Sequence, residues 1–235
     1  MTRSSSRRRL SQLLDTRVRQ GREVGLSLPE LLVTMALMTI VGALAITMVA
    51  TMSQAFTKDR STTDSTNIAS VVMNELSRVI RAGTEIRVQN TAQSKPVFVT
   101  AAADEILMHA YIDTDSITPE PVQIRFWLNS NRELVESRYR AIGTAPYWNF
   151  QSSPYSTRVI GRTVAPPAGG DPAMFTYEDA AGHILVPQPS GFNTNQLRSI
   201  ARVNIFLKIQ ADPTQRSQPV ILRNTVGIPN LGITL

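Results

Sequence analysis

Three groups of residues in this 235-residue chain have the types and spacing to do chemistry. The first is Gly25-Leu26-Ser27-Leu28-Pro29-Glu30, where a single carboxylate stands at the mouth of a long apolar run. The second is the acidic segment holding Asp113, Asp115 and Glu120, whose hard oxygen ligands would suit Ca²⁺. It lacks the central glycine and the late bidentate glutamate of an EF-hand loop, so it reads as a solvated acidic loop. The third is the pair His109 and His183, the only histidines in the chain. Neither lies near a glycine-framed serine, an HExxH pattern or a phosphate loop, and both are expected to be structural. The chain has no cysteine, which excludes disulfides, thiolate metal sites and a cysteine nucleophile. No catalytic constellation emerges, so the expectation is a protein that is not an enzyme and needs no cofactor. A cluster of aromatic residues (Trp127, Tyr139, Tyr147, Trp148, Phe150, Tyr155) remains. If Tyr147-Trp148 is exposed it would make a partner-contact patch.

The charge pattern says where the ends of the chain belong. The net charge is +6, but residues 1–25 hold seven of the 24 basic residues against two of the 18 acidic ones. That leaves 17 basic and 16 acidic residues for the remainder, which is close to neutral. The basicity is a property of a leader, and direct nucleic-acid binding by the body is not expected. From Leu31 to Thr57 no residue is charged, and Leu31–Ala50 is almost wholly apolar. Twenty residues at the helical rise span roughly 30 Å, the hydrocarbon thickness of a bilayer. With the arginines on its N-terminal side, such a helix places residues 1–25 in the cytoplasm and all that follows outside.

The body reads as an α+β head. Ile68, Val72, Leu76, Val79 and Ile80 lie on one face of an amphipathic helix that Gly83 is placed to stop. From Thr84 the period shifts towards two, and "TEIRVQ", "PVFVTA" and "DEILMHAYI" read as strands. "PVQIRFWLNSNRELVESRYR" reads as a hairpin turning at Asn129-Ser130-Asn131. Residues 141–172, rich in Gly, Pro and Ser, read as a long irregular excursion with one short element at Arg158–Val164. "PAMFTYEDAAGHILVP" reads as strand, turn, strand, while "LRSIARVNIFLKIQ" and "PVILRNTVGI" supply two closing strands. The expected organisation is a leader at 1–25, a hydrophobic transmembrane helix at 26–57, its amphipathic continuation at 58–83, and a β-rich head at 84–235. The long N-terminal helix would then pack on a mainly antiparallel sheet.

Three readings compete for the apolar segment. A secretory signal would use Ala43-Leu44-Ala45 as its cleavage triplet, but the apolar run continues past it. A plain single-pass anchor of an extracytoplasmic binding or enzyme domain would tolerate Glu30 at the interface. The third reading accounts for more residues. The stretch "GLSLPELLVTMALMTIVGALAI", beginning at Gly25, resembles the N-terminus of type IV pilins and type II secretion pseudopilins. Their shared pattern is a basic leader ending in glycine, an apolar first mature residue, a glutamate at mature position five, and an apolar helix. Leu26 stands where phenylalanine is commoner, and Pro29 where a β-branched residue or leucine is more usual.

That resemblance implies cleavage after Gly25 by a prepilin peptidase, which also methylates the new amine of Leu26. It implies that Glu30 pairs with such an amine on a neighbouring subunit, since a paired buried charge costs far less than an unpaired one. The order of "NELSRVIRAG", "IRFWLNSNRELVESRYR", "MFTYEDAAG", "IARVNIFLKI" and "LRNTV" is similar to J-type pseudopilins and PilW-like minor pilins. The implied partners are a major pilin, other minor pilins or pseudopilins, an inner-membrane assembly platform, and membrane lipid. The implied location is the bacterial cytoplasmic membrane, then an extracellular or periplasmic fibre, at or near its tip.

Overall fold

The computed structural model describes Gly25 and residues 27–112, 119–187, 191–212 and 217–231. A single helix, α1, runs Leu28–Arg81. The chain divides into two compact units at Ser53/Gln54. In the first unit α1 is mostly Leu, Met, Ala, Val and Ile, and its most apolar window has none of its residues buried. By length and composition this helix is able to cross a membrane.

In the second unit α1 becomes a core element. Ser65, Ala69, Val72, Met73, Leu76, Val79 and Ile80 are buried at the three- and four-residue spacing of one helical face. Four of the five residues expected on that face are fully buried, and Ile68 packs half-buried against them. Arg78 and Arg81 in the last turn complement the helix dipole. The helix stops at Gly83, where a Cβ would lie 2.7 Å from Val97 Cγ1 and 2.9 Å from Met108 Cε. The glycine lets the incoming strands approach the backbone.

Among the described residues ten strands follow in two antiparallel sheets. Strands β1 (Phe98–Ala101), β2 (Glu105–Ala110), β3 (Val122–Leu128), β4 (Leu134–Thr144) and β5 (Tyr147–Phe150) lie in sequence order. Strand β6 (Ser156–Gly161) also pairs β4, along Leu134–Arg138, while β5 takes Ala141–Thr144. The second sheet has the order β10 (Val220–Gly227), β9 (Arg202–Ile209), β7 (Phe175–Glu178), β8 (Ile184–Leu185). The fold is α+β, a long N-terminal helix packed on antiparallel sheets. The core joins α1 to Phe98, Ile106, Met108, Ile124, Phe126 and Leu134 of the first sheet and to Phe175, Tyr177, Ile205 and Leu207 of the second. Asn224 Nδ2 donates to Ser77 Oγ at 2.9 Å, and Ala211 N donates to Ser65 Oγ at 3.0 Å, so polar residues on the buried side of α1 are satisfied by the second sheet and the chain that follows β9.

The structure differs from the sequence reading in three places. "TEIRVQ" forms isolated bridges (Ile86 to Lys95, Arg87 to Tyr147) and no strand, because a turn at Asn90, with φ 64°, cuts it short. "LRSIARVNIFLKIQ" is not strand throughout: Thr194–Ser199 is a short helix, α2, capped by Asn193, whose side chain accepts from Gln196 N while the Gln196 side chain accepts from Asn193 N. Residues 141–172 are far more regular than their Gly/Pro content suggests. They carry the end of β4 and all of β5, which the reading did not expect, and β6 (Ser156–Gly161), which begins two residues before the short element expected at Arg158–Val164. Here Pro146 and Gly143 shape a tight hairpin turn and do not interrupt the strands.

Candidate functional site

Gly25 is exposed, and a Cβ built on it would meet nothing within 4 Å. Among the described residues nothing packs against it, and its backbone is not in the left-handed region. Leu26 lies outside the described residues. Helix α1 opens at Leu28 with Pro29 in its first turn, and Leu31 N donates to Ser27 O at 3.1 Å. Proline is tolerated at this position because the first N–H groups of a helix have no intrahelical acceptor. Glu30 sits in the same turn, exposed, where a carboxylate is favoured by the helix dipole. Among the described residues Glu30 has no ion-pair partner, and it stands at the N-terminus of an apolar stretch whose hydrophobic side chains from Leu28 to Phe56 are exposed. Such a stretch needs an apolar environment, supplied by lipid or by other helices.

Asp113 and Asp115 lie outside the described residues, and Glu120 is exposed. Among the described residues no three carboxylate or imidazole groups come together in a metal-holding cluster. His109 is buried on β2: its Nδ1 lies 3.0 Å from Pro96 O and its ring stacks on Phe150 at 4.9 Å. Burial depresses its pKa to about 4, and Lys95 nearby acts in the same direction. The ring is therefore neutral at pH 7, with a proton on Nδ1 donated to the carbonyl. His183 is exposed, and its Nδ1 meets Asp179 Oδ2 at 3.0 Å across the β7–β8 turn. Hydrogen bonds from His183 hold the Asp179 carboxyl below its ordinary value.

The aromatic pair splits. Tyr147 is 45% exposed, but Trp148 is only 7% exposed, so the expected two-residue patch is half correct. The two alternate across β5, which sends one outward and the other inward.

The sequence reading missed an ion cluster, built round one fully buried carboxylate, that ties α1 to the first sheet. Glu136 on β4 has a fully buried side chain, and Arg138 Nε and Arg158 Nε donate to it, the latter at 2.8 Å. Both arginines also reach Glu75 on α1, at 3.3 Å from Arg138 and 2.6 Å from Arg158, and Arg78 completes the group at 2.8 Å. The Arg78 hydrogen bond, foremost among these contacts, holds the Glu75 carboxyl below its ordinary value. The cluster positions the helix; it has no nucleophile, and its carboxylates are saturated by guanidinium donors. A separate open cleft of about 540 Å³ is lined by Thr163, Lys208, Gln210 and Ser217. Its lysine is engaged by Asp171 at 2.8 Å and Gln210 Nε2 by Ser217 O at 2.8 Å.

No family model matches the chain, and no curated protein matches it.

Proposed function

We propose that the chain is a minor pilin or pseudopilin, processed by a prepilin peptidase and assembled through α1 into a type IV pilus or a type II secretion-like fibre, at or near its tip. The reading is carried by one observation. Glu30 lies five residues after Gly25, against which no described residue packs, and stands in the first turn of a long apolar helix. A plain anchor needs neither the glycine nor the carboxylate. A helix that leaves the bilayer to pack beside its own kind uses both, as a cut site and as the anion that receives the amine so created.

In this reading residues 1–25 stay in the cytoplasm until cleavage, α1 crosses the cytoplasmic membrane once, and the head lies outside. The work is mechanical and recognitional: the chain is cut and methylated by the prepilin peptidase, then serves as a structural subunit contacting major pilin, other minor subunits and the assembly platform.

N-terminal sequencing combined with mass measurement of the membrane-derived protein is the direct test. A chain beginning at an N-methylated Leu26 supports the proposal. An intact leader overturns it and leaves a single-pass anchored extracytoplasmic domain.

A further inference from the structure

We infer that one face of the β4–β5 hairpin is a docking surface for a protein partner that presents an apolar hollow bordered by carboxylates. The pairing of Ala141 with Phe150, Ile142 with Asn149, Gly143 with Trp148 and Thr144 with Tyr147 divides the hairpin into two faces. Phe150 and Trp148 share one face. Phe150 stacks on the buried His109, the Trp148 side chain is buried, and the Trp148 backbone N–H donates to Arg87 O at 2.9 Å. This face anchors the hairpin to the rest of the head, so the opposite face is held rigid and its ordering cost is met before any partner arrives.

The opposite face carries Ile142 and Tyr147, which are 52% and 45% exposed. Arg140, two residues before Ile142 on the same side of β4, lies over the ring of Tyr155 at 5.3 Å, and Tyr155 is 47% exposed. Further along β4 the same side carries Glu136 and Arg138 to α1; at Ile142 the side chains stand in solvent instead. Tyrosine and arginine around an aliphatic centre, on rigid backbone, is the composition of residues that dominate protein–protein binding energies.

Charge identifies the occupant. Between Ser137 and Gly170 the chain has four arginines and no acidic residue. Arg138 and Arg158 are spent on Glu75 and Glu136, and Arg162 approaches Glu133. Arg140 has no carboxylate partner among the described residues, and the exposed Lys95 reaches only Asn149 Oδ1, at 3.4 Å. The patch thus presents two uncompensated cations beside an apolar centre, which calls for carboxylates opposite. Two cations are too few to hold an anionic membrane, where each contributes about 1 kcal/mol. They are also too few for nucleic acid, whose binding grows with the number of phosphates neutralised. The surface has this character whether or not the chain enters a fibre.

The test replaces Ile142 with a photo-crosslinking amino acid in the full chain, expressed in cells that make it naturally, with the same probe at the exposed Ile184 as control. The expected result is one protein adduct specific to position 142, mapping to a peptide with Asp or Glu beside apolar residues. Adduct yield should fall about tenfold on Arg140→Glu, recover in Arg140→Lys, and fall similarly on Tyr147→Ala. An adduct to lipid, to nucleic acid or to a second copy of this chain overturns the inference. So does an absent adduct, a contact peptide without carboxylates, or a yield indifferent to charge reversal at Arg140.

Discussion

Acid should weaken the head in a step that belongs to His109 and is separable from the carboxylates. In the folded protein its imidazole is neutral, stacked on Phe150, with Nδ1–H given to Pro96 O and the remaining nitrogen buried. Its folded pKa of about 4 lies below the ordinary 6.5. As pH falls through 6.5 the unfolded chain takes up a proton that the folded chain refuses, so stability declines from about pH 6.5 and the loss levels off below pH 4. At 1.36 kcal/mol per unit of pKa the full loss is on the order of 3 kcal/mol, most of it present by pH 4.5. The assay is urea unfolding of the full chain in non-ionic detergent, followed by the fluorescence of its two tryptophans, Trp127 and Trp148, both in the first sheet. Carboxylates titrate in the same range, so the comparison is with His109→Gln, whose amide can donate to Pro96 O without titrating. Between pH 7 and 4.5 the wild-type chain should lose on the order of 2–3 kcal/mol more than the variant. Equal losses in the two proteins refute the assignment of acid sensitivity to this buried ring.

Glu30→Ala should leave membrane insertion intact and sharply reduce recovery of the chain in sheared fibre fractions; undiminished incorporation rejects the charge-pairing role. Leu76→Ala, in the buried face of α1, should cost about 2–5 kcal/mol by urea unfolding, since a fully enclosed leucine leaves a cavity. Glu136→Ala should cost about 2–3 kcal/mol. That is less than the loss of a fully enclosed pair, because the Arg158 side chain is 51% exposed and can turn to water. Gly143→Ala should distort the β4–β5 turn at a cost of about 2 kcal/mol or more. Its φ is 128°, and a Cβ there would sit 2.5 Å from Tyr147 O; hydrogen exchange of residues 141–150 should rise while the second sheet stays protected.

Much of the architecture is legible in the sequence because it rests on local periodicity. The apolar run and the Ile68–Ile80 spacing specify both parts of α1, and the alternation of Val122, Ile124, Phe126 and Leu128 specifies β3. The departures have physical reasons. Asn193 and Gln196 form a readable capping box, but the apolar residues that follow favour a strand reading of the whole segment. Gly143 and Pro146 look like breakers, yet both serve a turn whose flanks, Ile142 and Tyr147–Phe150, are strong strand formers. The burial of Glu136 is beyond local inference: Arg138 is near in sequence, but the second guanidinium, Arg158, is 22 residues away on β6 and the third group, Glu75, is on α1. At the N-terminus the spacing of Gly25 and Glu30 is fully legible, and the structure adds that Pro29 is compatible with the first turn.

The burial of Ala69–Ile80 has a mechanical consequence. The stretch of α1 that fills the head is contacted along its length by both sheets and stapled sideways through Glu75. A pull directed along that stretch loads these contacts together, in shear, and cannot peel them one at a time. Extraction of the helix therefore requires the simultaneous loss of Val72, Leu76, Val79 and Ile80 packing and of the guanidinium staple. In this head the helix is a pin set in the core, and the head should hold under axial tension until it fails all at once.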